Sequence, residues 1–138
     1  ENKNEVIPNT KFSNPLKTIY FKYIKRKDPY SEEAVEELLK KFKDNVSLIQ
    51  GNSNVILKNI DLTKVDYVFL DGGHSYETVI NDLNCCIEVI NLGGTILCDD
   101  YDLPQAPGVK KAIDEFVNKN NFKCSIVCKG RFAIIENN

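Results

Sequence analysis

Two apolar runs, "VDYVFLD" (65–71) and "TILCD" (95–99), each stop abruptly at a carboxylate, and one amphipathic stretch separates them. The first run is apolar on both faces, which is typical of a strand in the middle of a parallel sheet. The intervening "SYETVINDLNCCIEVI" (75–90) carries Tyr76, Val79, Ile80, Leu83, Ile87 and Ile90 at helical spacing. "NLGG" (91–94) is expected to end that helix, with Gly93 or Gly94 taking positive φ. Strand, helix, strand in this order demands an α/β arrangement in which both strands point the same way.

The rest of the chain extends the alternation. "LKTIYFKYI" (16–24), rich in β-branched and aromatic residues, reads as a strand. "DPYSEEAVEELLKKFKD" (28–44) reads as an amphipathic helix. Ser31 caps it, Glu32 and Glu33 suit its positive start, and Lys40, Lys41 and Lys43 suit its end. Ala34, Leu38, Leu39 and Phe42 supply its apolar stripe. "VSLIQ" (46–50) is a short strand, "GNS" (51–53) a turn and "NVILKNI" (54–60) a short helix. "DYDLPQAP" (100–107) is a loop, because its prolines resist regular structure. "GVKKAIDEFVNKN" (108–120) is a helix, and "FKCSIVC" (122–128) and "RFAIIE" (131–136) form an antiparallel hairpin around "KG". The expected fold is α/β: a Rossmann-like, mostly parallel sheet with helices on both faces and a C-terminal antiparallel hairpin. Residues 1–15 form an irregular lead-in to a single domain spanning 1–138, a length that supports a real core.

Charge and cysteine usage narrow the function classes. The formal net charge of −2 leaves no basic footprint for nucleic acid or anionic membrane. The Lys clusters "KYIKRK" (22–27) and "KK" (40–41) lie beside acidic runs and read as solvated faces. No apolar run approaches a membrane span, and the polar start lacks the apolar core of a signal peptide. Cys85, Cys86, Cys98, Cys124 and Cys128 are odd in number and mostly in apolar contexts, as expected of reduced thiols in a cytoplasmic protein. Cys124 and Cys128 have no second pair and no nearby His, which argues against zinc. The chain has no Met, so it reads as processed, trimmed or partial.

The chemistry gathers at the strand ends. In open α/β sheets the binding crevice lies beyond the carboxyl ends of the strands. Neighbouring strands are about 4.8 Å apart. If these two are neighbours, Asp71, Asp99 and Asp100 converge, and such a cluster calls for protons or a cation. A hard divalent ion such as Mg²⁺ suits an all-oxygen set. An Asp after a strand is also an ordinary turn former; three of them at two strand tips, with a His beside them, favour function. His74 is the only histidine, three residues after Asp71. Imidazole titrates near neutrality and suits a general base.

The run "VSLIQGNS…VDYVFLDGGHSYETVINDL…INLGGTILCDDYDLP…GVKKAIDEF" resembles the C-terminal half of class I S-adenosylmethionine-dependent O-methyltransferases, in their metal-dependent, macrolide- or sugar-tailoring and catechol-type branch. The resemblance covers roughly residues 45–138. It implies that Asp71, Asp99 and Asp100 ligate a divalent metal, Mg²⁺ by preference. It also implies that His74 is the base, and that Gly51, Asn52, Ser53 and Asp71 contact S-adenosylmethionine. The implied reaction is in-line methyl transfer to a small hydroxylated acceptor such as a sugar or a polyketide. One part of the family pattern is missing: no first strand with a glycine-rich cofactor turn precedes residue 16, and Lys22 and Tyr23 stand where an acidic ribose anchor is expected. The alternatives are therefore a non-catalytic methyltransferase-like domain serving binding or assembly, and a metal-dependent hydrolase using the same carboxylates. The expected partners are a small-molecule acceptor and a second copy or a completing chain, with no nucleic acid and no membrane.

Overall fold

A computed structural model of the chain describes residues 16, 19–25, 32–60 and 64–137. The chain divides into two units, Pro8–Gln50 and a second built on Gly51–Asn138.

In the first unit, Tyr20–Lys25 form a π-helical turn and not the expected strand. The β-branched and aromatic residues there express a weak, context-dependent preference, which local helical hydrogen bonding overrides. Helix α1, Glu32–Leu39, carries Glu32 and Glu33 in its first turn and runs on into a 3₁₀ turn at Lys40–Phe42. The expected cap, Ser31, lies outside the described residues. No residue of α1 is buried, and Leu38 and Phe42 are exposed. Residues 46–50 have no regular secondary structure, so the expected strand there does not form. β propensity records packing against neighbouring strands, and this segment has none among the described residues.

The second unit holds a four-stranded sheet, β1 (Val65–Leu70), β2 (Ile90–Cys98), β3 (Lys123–Val127) and β4 (Phe132–Glu136), in the order β1-β2-β4-β3. β1 and β2 are parallel, whereas β4 runs antiparallel to both β2 and β3. The fold is thus the α/β class expected, with the C-terminal hairpin in place. Short helix α2 spans Ser53–Ile56, and its cap Asn52 accepts a hydrogen bond from the Asn54 amide at 3.0 Å. Helix α3 spans Tyr76–Val89 and helix α4 spans Pro107–Asn120. Pro107 at the first turn of α4 lacks only an N–H that the helix would leave unbonded.

One face of the sheet holds the core. Ile96 and Cys98 of β2 and Ala133 and Ile135 of β4 close against Leu83 and Cys86 of α3 and Ile113 and Phe116 of α4. Each fully buried aliphatic or aromatic side chain contributes about 1.5–3 kcal/mol. Val68 and Leu70 of β1 pack onto this core, while Tyr67 and Phe69 on the opposite face are 65% and 53% exposed. Among the described residues β1 is an edge strand, not the middle strand its two apolar faces suggested.

Helix α3 ends at Val89, and Ile90 is already extended. The expected positive φ occurs at Gly93 (+78°), in a bulge where β2 runs from Ile90 to Thr95 while β1 advances only from Val65 to Tyr67. Gly94 is required there, because a Cβ would lie 2.7 Å from Ile90 Cγ1 and 2.9 Å from the Asn91 carbonyl.

Candidate functional site

The carboxyl ends of β1 and β2 are tied together. The Asp99 amide donates to the Leu70 carbonyl at 2.9 Å, which carries the ladder one residue past the end of β2. Asp71 and Asp99 thereby follow neighbouring tips, as the crevice argument requires. Asp100 adopts a left-handed conformation (φ +57°), sparsely populated for any residue other than glycine. Its amide donates back to Asp99 Oδ1 at 2.7 Å.

This turn brings Asp100 to His74. His74 Nε2 lies 3.0 Å from Asp100 Oδ2, and the His74 side chain is 11% exposed. His74 is presented by a cap as well as by a strand. Ser75 N-caps α3, accepting from the Thr78 amide at 3.2 Å and donating its hydroxyl to Thr78 Oγ1 at 2.9 Å. The far side of this turn is pressed by α4, where a Cβ on Gly108 would lie 2.8 Å from the Tyr76 nitrogen and 3.3 Å from the His74 carbonyl.

Asp99 is engaged differently. Arg131 Nε donates to its Oδ1 at 2.9 Å and Arg131 Nη2 to its Oδ2 at 2.8 Å, a two-point grip on a carboxylate only 6% exposed. Arg131 holds the Asp99 carboxyl below the usual carboxylate range, against the opposing effect of burial. Asp99 in turn raises Arg131, with Asp100 and Asp71 adding to the effect. Arg131 reaches the strand tips because β4 runs antiparallel to β2 with Ala133 opposite Cys98. The bonds from the Tyr101 amide to the Arg131 carbonyl (2.9 Å) and from the Asp102 amide to the Gly130 carbonyl (3.0 Å) fasten the start of β4 to the loop after Asp100. The turn before it, Cys128–Gly130, has positive φ at all three residues, so Cys128 does not continue β3 as expected.

The residues singled out from sequence distribute as follows. His74 and Asp100 are bonded to each other. Asp99 is bonded to Arg131. Asp71, His74 and Asp99 line one small cavity of about 20 Å³, together with Gly72, Gly73 and Asp82 of α3. Gly51, Asn52 and Ser53 form the turn into α2, with Ile56 filling the space a side chain on Gly51 would need. Among the described residues no three His, Cys, Asp or Glu side chains form a group able to hold a metal ion. As arranged, Asp71, Asp99 and Asp100 do not fit one, because Arg131 takes both oxygens of Asp99 and His74 takes Asp100 Oδ2. Sequence reasoning missed Arg131 and Asp82. Arg131 had a signal: it directly follows the hairpin turn, opposite the end of β2 once β4 is paired antiparallel to β2. Asp82 had none, lying in a helix among residues of mixed polarity.

Beside these residues runs a wider groove of about 590 Å³, bordered by Tyr101, Leu103, Pro104, Lys110, Lys111 and Glu115. The Tyr101 hydroxyl donates to Asp114 at 2.8 Å, and the Tyr76 hydroxyl donates to Glu115 at 2.6 Å. Burial, aided by Asp114, pushes the Tyr101 hydroxyl up to about 12. Among the described residues no helix is long and apolar enough to cross a membrane.

Comparison with known proteins places the fold. The structure is similar to the O-methyltransferase NovP, with a TM-score of 0.64 at 18% identity over 95% of this chain and 54% of that one. It is similar to the apo TDP-rhamnose 3'-O-methyltransferase of calicheamicin biosynthesis, with a TM-score of 0.60 at 18% identity over 75% and 50% of the two chains. It is also similar to an O-methyltransferase from Bacillus cereus solved with SAH, with a TM-score of 0.56 at 14% identity over 77% and 58%. At these identities the likeness is one of fold. In sequence, 54 residues are 43% identical to an uncharacterized protein of Acanthamoeba polyphaga mimivirus, spanning 38% of this chain and 24% of that protein. The chain thus covers about half of the structural relatives and a smaller part of the viral one. A family model described as a methyltransferase domain matches residues 10–101, reaching well before the stretch that carries the sequence resemblance. That match takes in more than half of the chain, and the chain belongs to the methyltransferase domain family.

Proposed function

We propose that the chain acts in S-adenosylmethionine-dependent O-methyl transfer to a small hydroxylated acceptor such as a sugar or a polyketide. The observation that carries this reading is the 3.0 Å pair of His74 Nε2 and Asp100 Oδ2 at the tips of two parallel strands. With Nε2–H donating to Asp100, Nδ1 is left as the proton acceptor. Nδ1 would take the proton of the acceptor hydroxyl. Asp100 holds the ring in this tautomer and stabilises the imidazolium that forms. The groove lined by Tyr101 and Lys110 borders the same loop and offers aromatic and charged surface suited to a polar, hydroxylated ligand.

Bound S-adenosylmethionine supplies a methyl on a sulfonium sulfur, which leaves as a neutral thioether. The Gly51-Asn52-Ser53 turn and Asp71 would hold it. Asn54 Oδ1, just after that turn, is buried without a hydrogen-bond partner among the described residues, which suits an amine donor such as that of adenine. No step is assigned to a divalent ion, since the strand-end carboxylates fit one only if Arg131 gives up Asp99.

Calorimetry with S-adenosylmethionine tests the reading, with saturable binding as the expected result and no binding as the result that ends it. Given binding, His74→Ala should lower turnover by roughly 10²–10⁴-fold, the usual worth of a general base. An unchanged rate would remove His74 from that role.

A further inference from the structure

We propose that Arg131 is the resident cation of the strand-end carboxylates, and that Arg131 and a divalent metal ion are mutually exclusive occupants of Asp99. This deepens the reading of the site above but does not depend on methyl transfer occurring.

The lone pairs of Asp99 carry the argument. Oδ1 accepts from Arg131 Nε at 2.9 Å and from the Asp100 amide at 2.7 Å, so both of its acceptor positions are used. Oδ2 accepts from Arg131 Nη2 at 2.8 Å. The carboxylate is 6% exposed, so solvent offers no second route to it. An ion binding Asp99 at metal–oxygen distance would lie against the guanidinium, where two positive charges repel strongly because little water separates them. A guanidinium does not shed its charge at any ordinary pH, so the conflict is resolved only by moving the side chain.

Movement is available to one partner and not to the other. Asp99 is fixed by its backbone bond to Leu70 and by burial. The Arg131 side chain is 62% exposed, and its guanidinium lies 4.8 Å from the Phe132 ring, at the solvent side of the pair. Arg131 can therefore swing out while Asp99 stays in place. The charges of Asp100 and Asp71 also favour the protonated guanidinium, to a smaller extent than Asp99. Asp99, one of the three carboxylates expected to share a metal, thus already holds a cation that the chain itself supplies.

The test reads metal binding and the arginine, not catalysis. Mn²⁺ affinity is measured by electron paramagnetic resonance on the full chain, on R131A and on R131Q, with D99N/R131A as the control for the site. Removal of the guanidinium should tighten Mn²⁺ binding by about tenfold or more, since the retained carboxylate is left seeking a cation, and D99N/R131A should lose that gain. In the wild-type chain, Mg²⁺ is titrated while the Arg131 Nε–H resonance is followed by NMR, which needs no variant to fold. The hydrogen-bonded signal should shift toward that of a free arginine in step with Mg²⁺ occupancy. Three results overturn the proposal: R131A and R131Q no tighter for Mn²⁺ than wild type, metal bound at Asp99 with the Arg131 Nε–H signal unmoved, or no metal binding by any of these chains at millimolar concentration. None of these outcomes bears on S-adenosylmethionine binding, so the methyl-transfer reading stands or falls on its own calorimetry.

Discussion

The Asp99 carboxyl and the buried thiols Cys86 and Cys98 make the chain respond to opposite ends of the pH scale. The Asp99 carboxyl is held below its ordinary value of 3.8, chiefly by Arg131. A carboxyl lowered in the folded state contributes stability that is fully present above the unfolded value. That contribution is lost as pH falls through the lowered native value. Chemical denaturation across pH 2–5 should therefore show a loss of stability below about pH 4 in the wild-type chain. Asp99→Asn should flatten that limb, and an identical acid limb in the variant would show that Asp99 is not its source. The buried thiols give the alkaline counterpart. Burial pushes Cys86 and Cys98 from 9.0 up to about 12. For groups raised in this way, stability is complete below the unfolded value and is lost between about pH 9 and 12. Cys98→Ala should weaken the alkaline loss measured by the same denaturation series, provided its small cavity is allowed for as a pH-independent offset. These residue-scale effects were only half legible in sequence. The carboxylates and the lone histidine stood out by type and position, but the partner of each was hidden. Which carboxylate met His74, and which met an arginine 32 residues away, depended on a left-handed turn at Asp100 that nothing in "CDDY" announces.

At the scale of elements, two local devices position His74. Ser75→Ala removes the cap of α3 and should cost about 1 kcal/mol in urea denaturation. It should also lower turnover, because His74 sits directly before the cap; a stability loss under 0.3 kcal/mol, far below the usual range for a cap, would contradict its role. Gly108→Ala sets two effects against each other. Alanine is the better helix former by about 1 kcal/mol. The added Cβ would, however, stand 2.8 Å from the Tyr76 nitrogen, against backbone that cannot turn aside. The contact should win, so the thermal midpoint should fall and not rise; a variant as stable as wild type would show that α4 does not press on the His74 turn. Helices α3 and α4 were readable because an apolar stripe at helical spacing is a property of the segment itself. The strands expected at 16–24 and 46–50 were not, because a strand is completed by a neighbour. Tyr20–Lys25 is helical and residues 46–50 pair with nothing among the described residues.

For the whole molecule, the core and the site are two ends of one sheet face. Phe116, 1% exposed, lies in the cluster that joins α4 to the sheet, and Phe116→Ala should cost about 3–5 kcal/mol by denaturation. That loss should lower the share of folded chain without altering S-adenosylmethionine affinity per folded molecule. The parallel pair β1-β2, the crossover by α3 and the closing hairpin follow from the sequence alone, since hydrophobic periodicity and turn residues are local and dictate which segments become which element. So does the placement of Asp71, Asp99, Asp100 and His74 at strand ends, because a carboxylate closing an apolar run has no other place to go. Tertiary structure alone decided that β4 pairs with β2 in the register that sets Ala133 opposite Cys98. Register is a relation between distant segments, fixed by which side chains fill one shared core. That register delivers Arg131 to the strand tips, and it makes the charge of the carboxylate cluster a matter settled within the chain.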